Sequence, residues 1–325
     1  MLTSQLVDAA TACAPSEAIT ELGRNRMLTQ LGRLLIASDG TIGADGAVRL
    51  GLALSHRDGV ETELITVFDP KTPIDHSTAP AQDAEYEELW RKGKLWDSMT
   101  YQRHRVAPQA EKWPVLLETG DPAREITRIA RERRHQLIVL GLGAHGALER
   151  YLRREMALRV LRESDLPVLA VAPSCKDIPR TVLVALDFSV SSLQAAQAAL
   201  SILGDDGTLY LAHVMPRVVG TTTLGEPPAW EVPYNAGVRA LFEALESRLG
   251  VPEGVRVQRV ILDGNPAHEL LTFAQAHDVN LIAAGCHGYS KFQRALLGSV
   301  STKLVRGAQC SLIVVPGKRR TPFAA

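Results

Sequence analysis

An internal repeat constrains this chain more than any other feature of its sequence. The segment GDPAREI at residues 120–126 matches GNPAHEL at residues 264–270. In each segment a good N-cap residue, Asp121 or Asn265, precedes a proline at the first helical position. The repeat predicts two copies of one arrangement, in which a strand, a turn and a capped helix follow each other.

The strands that surround these segments are repeated as well. RLLIASD at residues 33–39 and TVLVALD at residues 181–187 are apolar runs that end in aspartate. Because both faces of each run are apolar, we expect buried parallel strands. Further matching strands are predicted at residues 62–68 and 208–215, 136–141 and 280–285, and 166–171 and 311–315.

Five strands that alternate with four helices in each copy predict an α/β fold made of two doubly wound parallel sheets. In such sheets, ligands bind beyond the carboxyl ends of the strands. Asp187 and Gly285 each end a predicted strand, so they face one crevice if those strands are neighbours. The predicted divisions are an arm (residues 1–30), a first domain (31–173), a linker (174–179), a second domain (180–317) and a tail (318–325).

Composition excludes several classes of protein. Lys plus Arg and Asp plus Glu both number 36 in 325 residues, whereas a dedicated nucleic-acid binder would carry a basic excess. No apolar run approaches the length of a membrane span, and the N-terminus makes a poor signal peptide. The four cysteines are scattered without a CxxC pair, which predicts a reduced, cytoplasmic protein.

One glycine pattern carries the chemistry of the second copy. Gly285 ends a buried apolar run, Gly288 follows three positions later, and Gly298-Ser299 opens a helical pattern. Glycine lets a phosphate approach the backbone without a Cβ in the way, and the free N–H groups at a helix start favour an anion. The spacing predicts a phosphate cradle made of backbone amides, to which Ser299 adds a hydroxyl.

Together, these residues resemble the universal stress protein family, in a tandem two-domain form that covers roughly residues 31–316. Gly285, Gly288, Gly298 and Ser299 match the family's ATP-binding pattern. The resemblance implies flavodoxin-like sheets of order 3-2-1-4-5, paired through their last strands, and a role in the stress response. It also implies an ATP site, with Mg²⁺ as an optional companion, made by Asp187, Val214, Gly285, His287, Gly288, Gly298, Ser299 and Val300.

The first copy departs from this pattern. It keeps Asp39, but its loop at residues 141–146 is two residues longer than the partner loop. Counting on from Gly146 places Met156 and Ala157 where the second copy has Gly298 and Ser299. We therefore predict that the first copy binds ATP weakly or not at all. Its arginines at 150, 153, 154 and 159 form either a solvated helix face or a site for a different anion.

Three functions remain open. The first is a nucleotide-dependent regulatory protein that binds ATP, acts on an unidentified protein partner, and exists as a single chain or a homodimer. The second is an enzyme: a slow ATP hydrolase, or an adenylating enzyme, although the Ser-Gly-Gly-x-Asp-Ser signature is absent after either first strand. The third is a scaffold or chaperone-like protein with a vestigial nucleotide site. No catalytic or metal residues are predicted; His287 is expected to contact phosphate or ribose, with a general base as the alternative.

Overall fold

The computed structural model describes residues 31–72, 84–143, 147–215, 231–286 and 298–317. Within these ranges the chain forms ten β-strands and eight α-helices. We call residues 31–173 the first half and residues 180–317 the second half. The predicted arm and tail, and most of the long loop predicted at residues 217–233, lie outside the described residues.

The two halves have the same order of elements. The first half contains β1 (Arg33–Ala37), α1 (Asp45–Ser55), β2 (Glu61–Phe68), α2 (Ala84–Val106), β3 (Val115–Thr119), α3 (Pro122–Glu132), β4 (Leu137–Gly141), α4 (Ala147–Glu163) and β5 (Val168–Val171). The second half contains β6 (Thr181–Leu186), α5 (Val190–Ile202), β7 (Thr208–Met215), α6 (Glu231–Leu249), β8 (Arg256–Asp263), α7 (Pro266–Ala276), β9 (Leu281–Gly285), α8 (Ser299–Gly307) and β10 (Ser311–Val315).

All ten strands form one continuous sheet of order β3-β2-β1-β4-β5-β10-β9-β6-β7-β8. Within each half the strands are parallel and follow the order 3-2-1-4-5, which confirms the predicted doubly wound fold. The halves join through their last strands, which run antiparallel with Leu312 opposite Ala170. The molecule is therefore two similar half-sheets fused edge to edge.

Helices cover both faces of this sheet, as parallel strands require. Side chains alternate along β1, so that Leu34 and Ile36 face one apolar core while Leu35 and Ala37 face the other. The first core packs against α1, α2, α5 and α6, and the second packs against α3, α4, α7 and α8. No helix among the described residues combines the length and apolar character that a bilayer crossing needs.

The repeated segment forms the turn and cap that its sequence predicts. The Asp121 carboxylate accepts a hydrogen bond from the amide of Arg124, and Asn265 does the same for the amide of His268. Gly120 and Gly264 have φ angles of 143° and 137°, a region that side chains strongly disfavour. Glycine is therefore required at the same turn in both halves.

The structure shifts two predicted helix boundaries. The helix expected over residues 81–105 spans Ala84–Val106, and the one expected from about Asn235 begins at Glu231. The latter start takes Pro233 into the first helical turn. Proline is tolerated there because the first N–H groups of a helix have no intrahelical partner. The prediction was wrong in treating Pro233 as part of the loop.

Candidate functional site

The candidate site lies where β6, β7 and β9 end in the second half. Strands β6 and β9 are neighbours, with Ala185 opposite Ala284. Asp187 directly follows β6 and Gly285 is the last residue of β9. The structure thus brings the aspartate and the start of the glycine pattern to the same edge of the sheet.

A cavity of about 340 Å³ opens at this edge. Its volume is within the range of pockets that bind small molecules, about 300–1,000 Å³. Six of the eight residues implied by the family resemblance line it: Asp187, Val214, Gly285, Gly298, Ser299 and Val300. The other two, His287 and Gly288, lie outside the described residues, and so does Lys291 in the same loop.

The first turn of α8 forms one wall of the cavity. Gly298 is the N-cap residue, and no side chain accepts a cap hydrogen bond there. The amide of Gly298 itself donates to the carbonyl of Cys286 at 2.8 Å. The next N–H groups have no intrahelical partner, and the helix dipole adds partial positive charge around them. The geometry suits an anion such as a phosphate.

Close backbone approaches explain why glycine stands at the two ends of this wall. A Cβ on Gly298 would lie 2.7 Å from the Cys286 carbonyl oxygen. A Cβ on Gly285 would lie 2.6 Å from Ser191 Oγ and 2.7 Å from the amide nitrogen of Ser192. Gly285 therefore packs directly against the N-terminal turn of α5, and a side chain at either position would push the wall apart.

Ser301 is a site residue that sequence reasoning missed. Its buried hydroxyl donates a 2.7 Å hydrogen bond to the carbonyl of Gly285. This bond ties the first turn of α8 to the end of β9. The second serine of Gly298-Ser299-Val300-Ser301 was the available signal, but its partner is 16 residues earlier in the chain.

A tight turn holds Asp187 at the cavity. The Asp187 carboxylate accepts a hydrogen bond of 3.0 Å from the amide of Ser189. Between them, Phe188 adopts a φ angle of 58°, which is rare for a bulky residue. Its buried ring packs against Phe242 at 5.4 Å and against His213 at 5.2 Å, and these contacts stabilise the strained conformation.

His213 forms an uncharged part of the cavity wall. Its Nδ1 lies 2.8 Å from the Leu186 carbonyl oxygen, which is an acceptor, so this nitrogen carries the proton. Burial lowers the pKa of His213 below its ordinary value, against the opposing effects of Leu186 and Asp187. The ring is therefore neutral at neutral pH and acts as a flat, uncharged surface.

Cys286 borders the cavity without becoming reactive. Its side chain is 4% exposed, and burial raises the pKa of the thiol to about 11. A thiol with that pKa is protonated at neutral pH and is a poor nucleophile or metal ligand. Among the described residues, no group of three or more His, Cys, Asp or Glu side chains is placed to hold a metal ion.

The corresponding crevice of the first half is filled differently. A cavity of about 480 Å³ lies between Asp39, Val67, Leu140 and α4. Arg153 of α4 reaches into it, donates to the Asp39 carboxylate at 2.7 Å and also contacts the Thr41 hydroxyl. An internal cation therefore stands near the place where the second half presents backbone amides.

The alignment of Met156 and Ala157 with Gly298 and Ser299 was wrong by two residues. Strand β4 matches β9 with an offset of 144, and the buried positions of α4 match those of α8 with the same offset. Buried Ala157 thus corresponds to Ser301. The true counterparts of Gly298 and Ser299 are Arg154 and Glu155, in the middle of α4, where amides are bonded within the helix.

Comparisons with known proteins agree with this architecture. The model of the universal stress protein family matches residues 31–172 and again residues 179–316. A universal stress protein of Mycobacterium tuberculosis is 24% identical over 306 residues, which cover 88% of this chain and 95% of that protein.

One solved structure of the family shows the same fold over most of the chain. A universal stress protein of Archaeoglobus fulgidus superposes with a TM-score of 0.61 at 18% identity, over 87% of this chain and 98% of that one. A universal stress protein solved in complex with cAMP matches 43% of this chain and 98% of that one, at 23% identity and a TM-score of 0.31. With two matches of the family model that together span most of its length, the chain belongs to the universal stress protein family, as a member with two tandem family domains.

Proposed function

We propose that the second half binds an adenine nucleotide, ATP in the first place, and that the protein acts as a nucleotide-dependent regulator in the stress response. The observation that carries this proposal is the open first turn of α8 at the edge of the cavity. Its uncapped amides supply an anion site, and the cavity beside them accepts the rest of a ligand.

Within this proposal the glycine-rich wall binds the phosphates. Ser299 and Val300 offer amides, Ser299 adds an exposed hydroxyl, and Gly285 and Gly298 let the backbone approach closely. His287 and Gly288 are proposed to complete the cradle, on the family resemblance alone. When Mg²⁺ accompanies ATP, it would neutralise phosphate charge that these neutral groups leave unbalanced.

The opposite wall is proposed to bind the adenosine. The β6–β7 pairing stops at Leu186 opposite His213, so the backbone of Val214 extends past the end of β6. Its N–H closes the last ladder bond to the Leu186 carbonyl, and its own carbonyl on that side is available to the amino group of an adenine ring. Asp187 offers a carboxylate, a good acceptor for ribose hydroxyls.

The regulatory role follows from the kind of site. A backbone cradle binds phosphate without supplying a nucleophile or base, so we propose binding with little turnover. A bound nucleotide then acts as a switch if it favours one arrangement of the surrounding loops over another. A cytoplasmic location is part of the proposal, because Cys175, Cys286 and Cys310 are unbridged.

Titration calorimetry with ATP, ADP, AMP and cAMP, each with and without Mg²⁺, tests the ligand. Asp187→Asn tests whether the nucleotide binds in the second-half cavity. Asp39→Asn is the matched control at the same turn of the first half. We expect micromolar or tighter binding of ATP, weakened about tenfold by Asp187→Asn and unchanged by Asp39→Asn. Phosphate release should stay far below one turnover per second. No nucleotide binding would refute the proposal and favour the scaffold function, and rapid phosphate release would favour an ATP hydrolase.

A further inference from the structure

Two helices of the second half present their N-termini to the candidate site. Helix α8 contributes its first turn to the cavity wall. Helix α5 begins after Ser189, which caps the amide of Ser192, and its first turn packs against Gly285. The positions of these two helices therefore fix the distance between Gly285 and Gly298 on the cavity wall.

An arginine of the first half binds the far end of α5. The Arg57 guanidinium donates to the carbonyls of Leu203 at 2.7 Å and Ile202 at 3.3 Å, and also contacts the carbonyl of Ser201. These are the carbonyls that a helix end leaves without partners. Arg57 is the second residue after the end of α1, and the contact joins residues about 145 positions apart.

A second arginine of the first half binds the far end of α8. The Arg154 guanidinium donates to the carbonyl of Ala308 at 2.7 Å and contacts the carbonyl of Arg306. The next residue, Glu155, accepts two hydrogen bonds from the Arg306 guanidinium, at 2.7 Å and 3.0 Å. Helix α4 of the first half is thus hydrogen-bonded to the C-terminus of α8, whose N-terminus lies at the proposed phosphate site.

The two contacts share one physical effect. A cation at a helix C-terminus interacts favourably with the helix dipole, and a guanidinium satisfies several orphan carbonyls in one fixed geometry. A helix is a stiff rod, so an anchor at one end also limits movement at the other. At 1.5 Å per residue, the anchors lie about 20 Å and about 13 Å along the axes of α5 and α8 from the site.

We propose that Arg57 and Arg154 are positioning residues, through which the first half sets the nucleotide affinity of the second half. This inference rests on the proposed nucleotide site. The crevice of the first half holds the Arg153–Asp39 pair. On this proposal, the function of the first half is to hold the nucleotide site of the second half in order. Neither arginine contacts the ligand.

The variants Arg57→Ala and Arg154→Ala test this proposal. The variants Arg57→Lys and Arg154→Lys are measured beside them. Lysine keeps the positive charge but cannot hold two carbonyls in a planar fork. The control is Arg128→Ala, which removes an arginine that pairs with Glu118, Glu125 and Glu132 inside the first half. The readouts are ATP affinity by calorimetry and amide hydrogen exchange of the nucleotide-free protein.

We expect each alanine variant to weaken ATP binding roughly three- to tenfold, the lysine variants to recover part of that loss, and Arg128→Ala to have no effect. Exchange should accelerate in Arg154→Ala at the amides of Gly298 and Thr302, the hydrogen-bonded ones at the start of α8, and in Arg57→Ala at the first turn of α5. A purely structural role would lower the unfolding midpoint without this helix-specific pattern.

The outcomes separate this inference from the proposed function. Unchanged ATP affinity in the folded alanine variants, with the wild type binding normally, would overturn the inference alone. If the wild type binds no nucleotide, the proposed function fails, and the exchange measurement still decides whether the arginines order the N-terminal turns. Unchanged exchange at both turns would then overturn the positioning role.

Discussion

The Arg153 guanidinium donates a 2.7 Å hydrogen bond to the carboxylate of Asp39, at the crevice of the first half. The matching carboxylate of the second half, Asp187, accepts from the Ser189 amide and pairs with no cation among the described residues. The two halves share a fold and a strand-ending aspartate, but one aspartate is neutralised internally. Asp187 lacks such a cation in the described part of the chain, which fits the proposal that it binds a ligand.

Removing this arginine should not create a second site. We expect Arg153→Ala to lower the free energy of unfolding by about 1 kcal/mol, because the Asp39 end of this ion pair is about half exposed to solvent. Nucleotide stoichiometry should remain the same, since Arg154 and Glu155 stand in mid-helix where amides are already bonded. Urea unfolding and calorimetry check both expectations. A second ATP bound by the variant would show that Arg153 alone blocks the crevice.

The two serines of the α8 wall should separate stability from binding. Ser301→Ala removes the 2.7 Å hydrogen bond to the Gly285 carbonyl and should cost about 1–2 kcal/mol of unfolding free energy. Ser299 is exposed at the cavity, so Ser299→Ala should leave unfolding unchanged and weaken ATP binding several-fold. Paired urea unfolding and calorimetry test this. The reverse pattern would mean that the roles of the two hydroxyls have been exchanged.

Two glycine-to-alanine substitutions should change the stability of the fold in opposite directions. In Gly298→Ala the new Cβ would lie 2.7 Å from the Cys286 carbonyl oxygen, so we expect a loss of about 1–3 kcal/mol. Gly93 lies within α2, is exposed, and has open space around its missing Cβ. Gly93→Ala should stabilise the protein by about 0.5–1 kcal/mol through helix propensity. Thermal unfolding measures both, and equal effects would contradict the steric argument.

Two buried histidines should make stability fall at acid pH. Burial lowers the pKa of His135 and of His213, and for His135 it outweighs the attraction of Glu63 at 3.5 Å, which Arg33 and Arg133 oppose. As the pH falls, these two histidines therefore bind protons in the unfolded chain before they do so in the folded chain. Their stability contribution is complete above the unfolded pKa of about 6.5 and is lost as the pH falls through the lower folded pKa values.

The measurement is the free energy of unfolding in urea from about pH 8 to about pH 5.5. A histidine that stays neutral in the folded state contributes a slope of at most about 1.4 kcal/mol per pH unit. The double variant His135→Gln with His213→Gln should flatten the curve in this window. A curve of the same slope in the wild type and the variant would refute the assignment.

Much of the fold could be predicted because its signals are local. Asp121 and Asn265 cap helices as their neighbours in sequence indicate, and the apolar runs at β1 and β6 became central buried strands. The rule that ligands bind at the carboxyl ends of parallel strands predicts one crevice for Asp187 and Gly285 if β6 and β9 are neighbours, and the structure shows that they are.

The features that sequence reasoning missed depend on contacts distant in the chain. Arg57 and Arg154 bind helix ends about 150 residues away, and nothing in their local sequence marks them. The alignment of α4 with α8 was wrong by two residues. The first half has two extra residues in its loop and two fewer after Gly146, and counting on from Gly146 misses the second difference. The burial pattern of α4 and the register of the strand that follows it reveal that compensation.

The most direct test is the number of nucleotides carried by each chain, measured by native mass spectrometry after incubation with ATP and Mg²⁺. Gly298→Val, whose side chain would fill the cradle, is measured beside the wild type. One nucleotide per wild-type chain, lost in the variant, is the predicted result. Two per chain would contradict the single-site account, and none would contradict the nucleotide site itself.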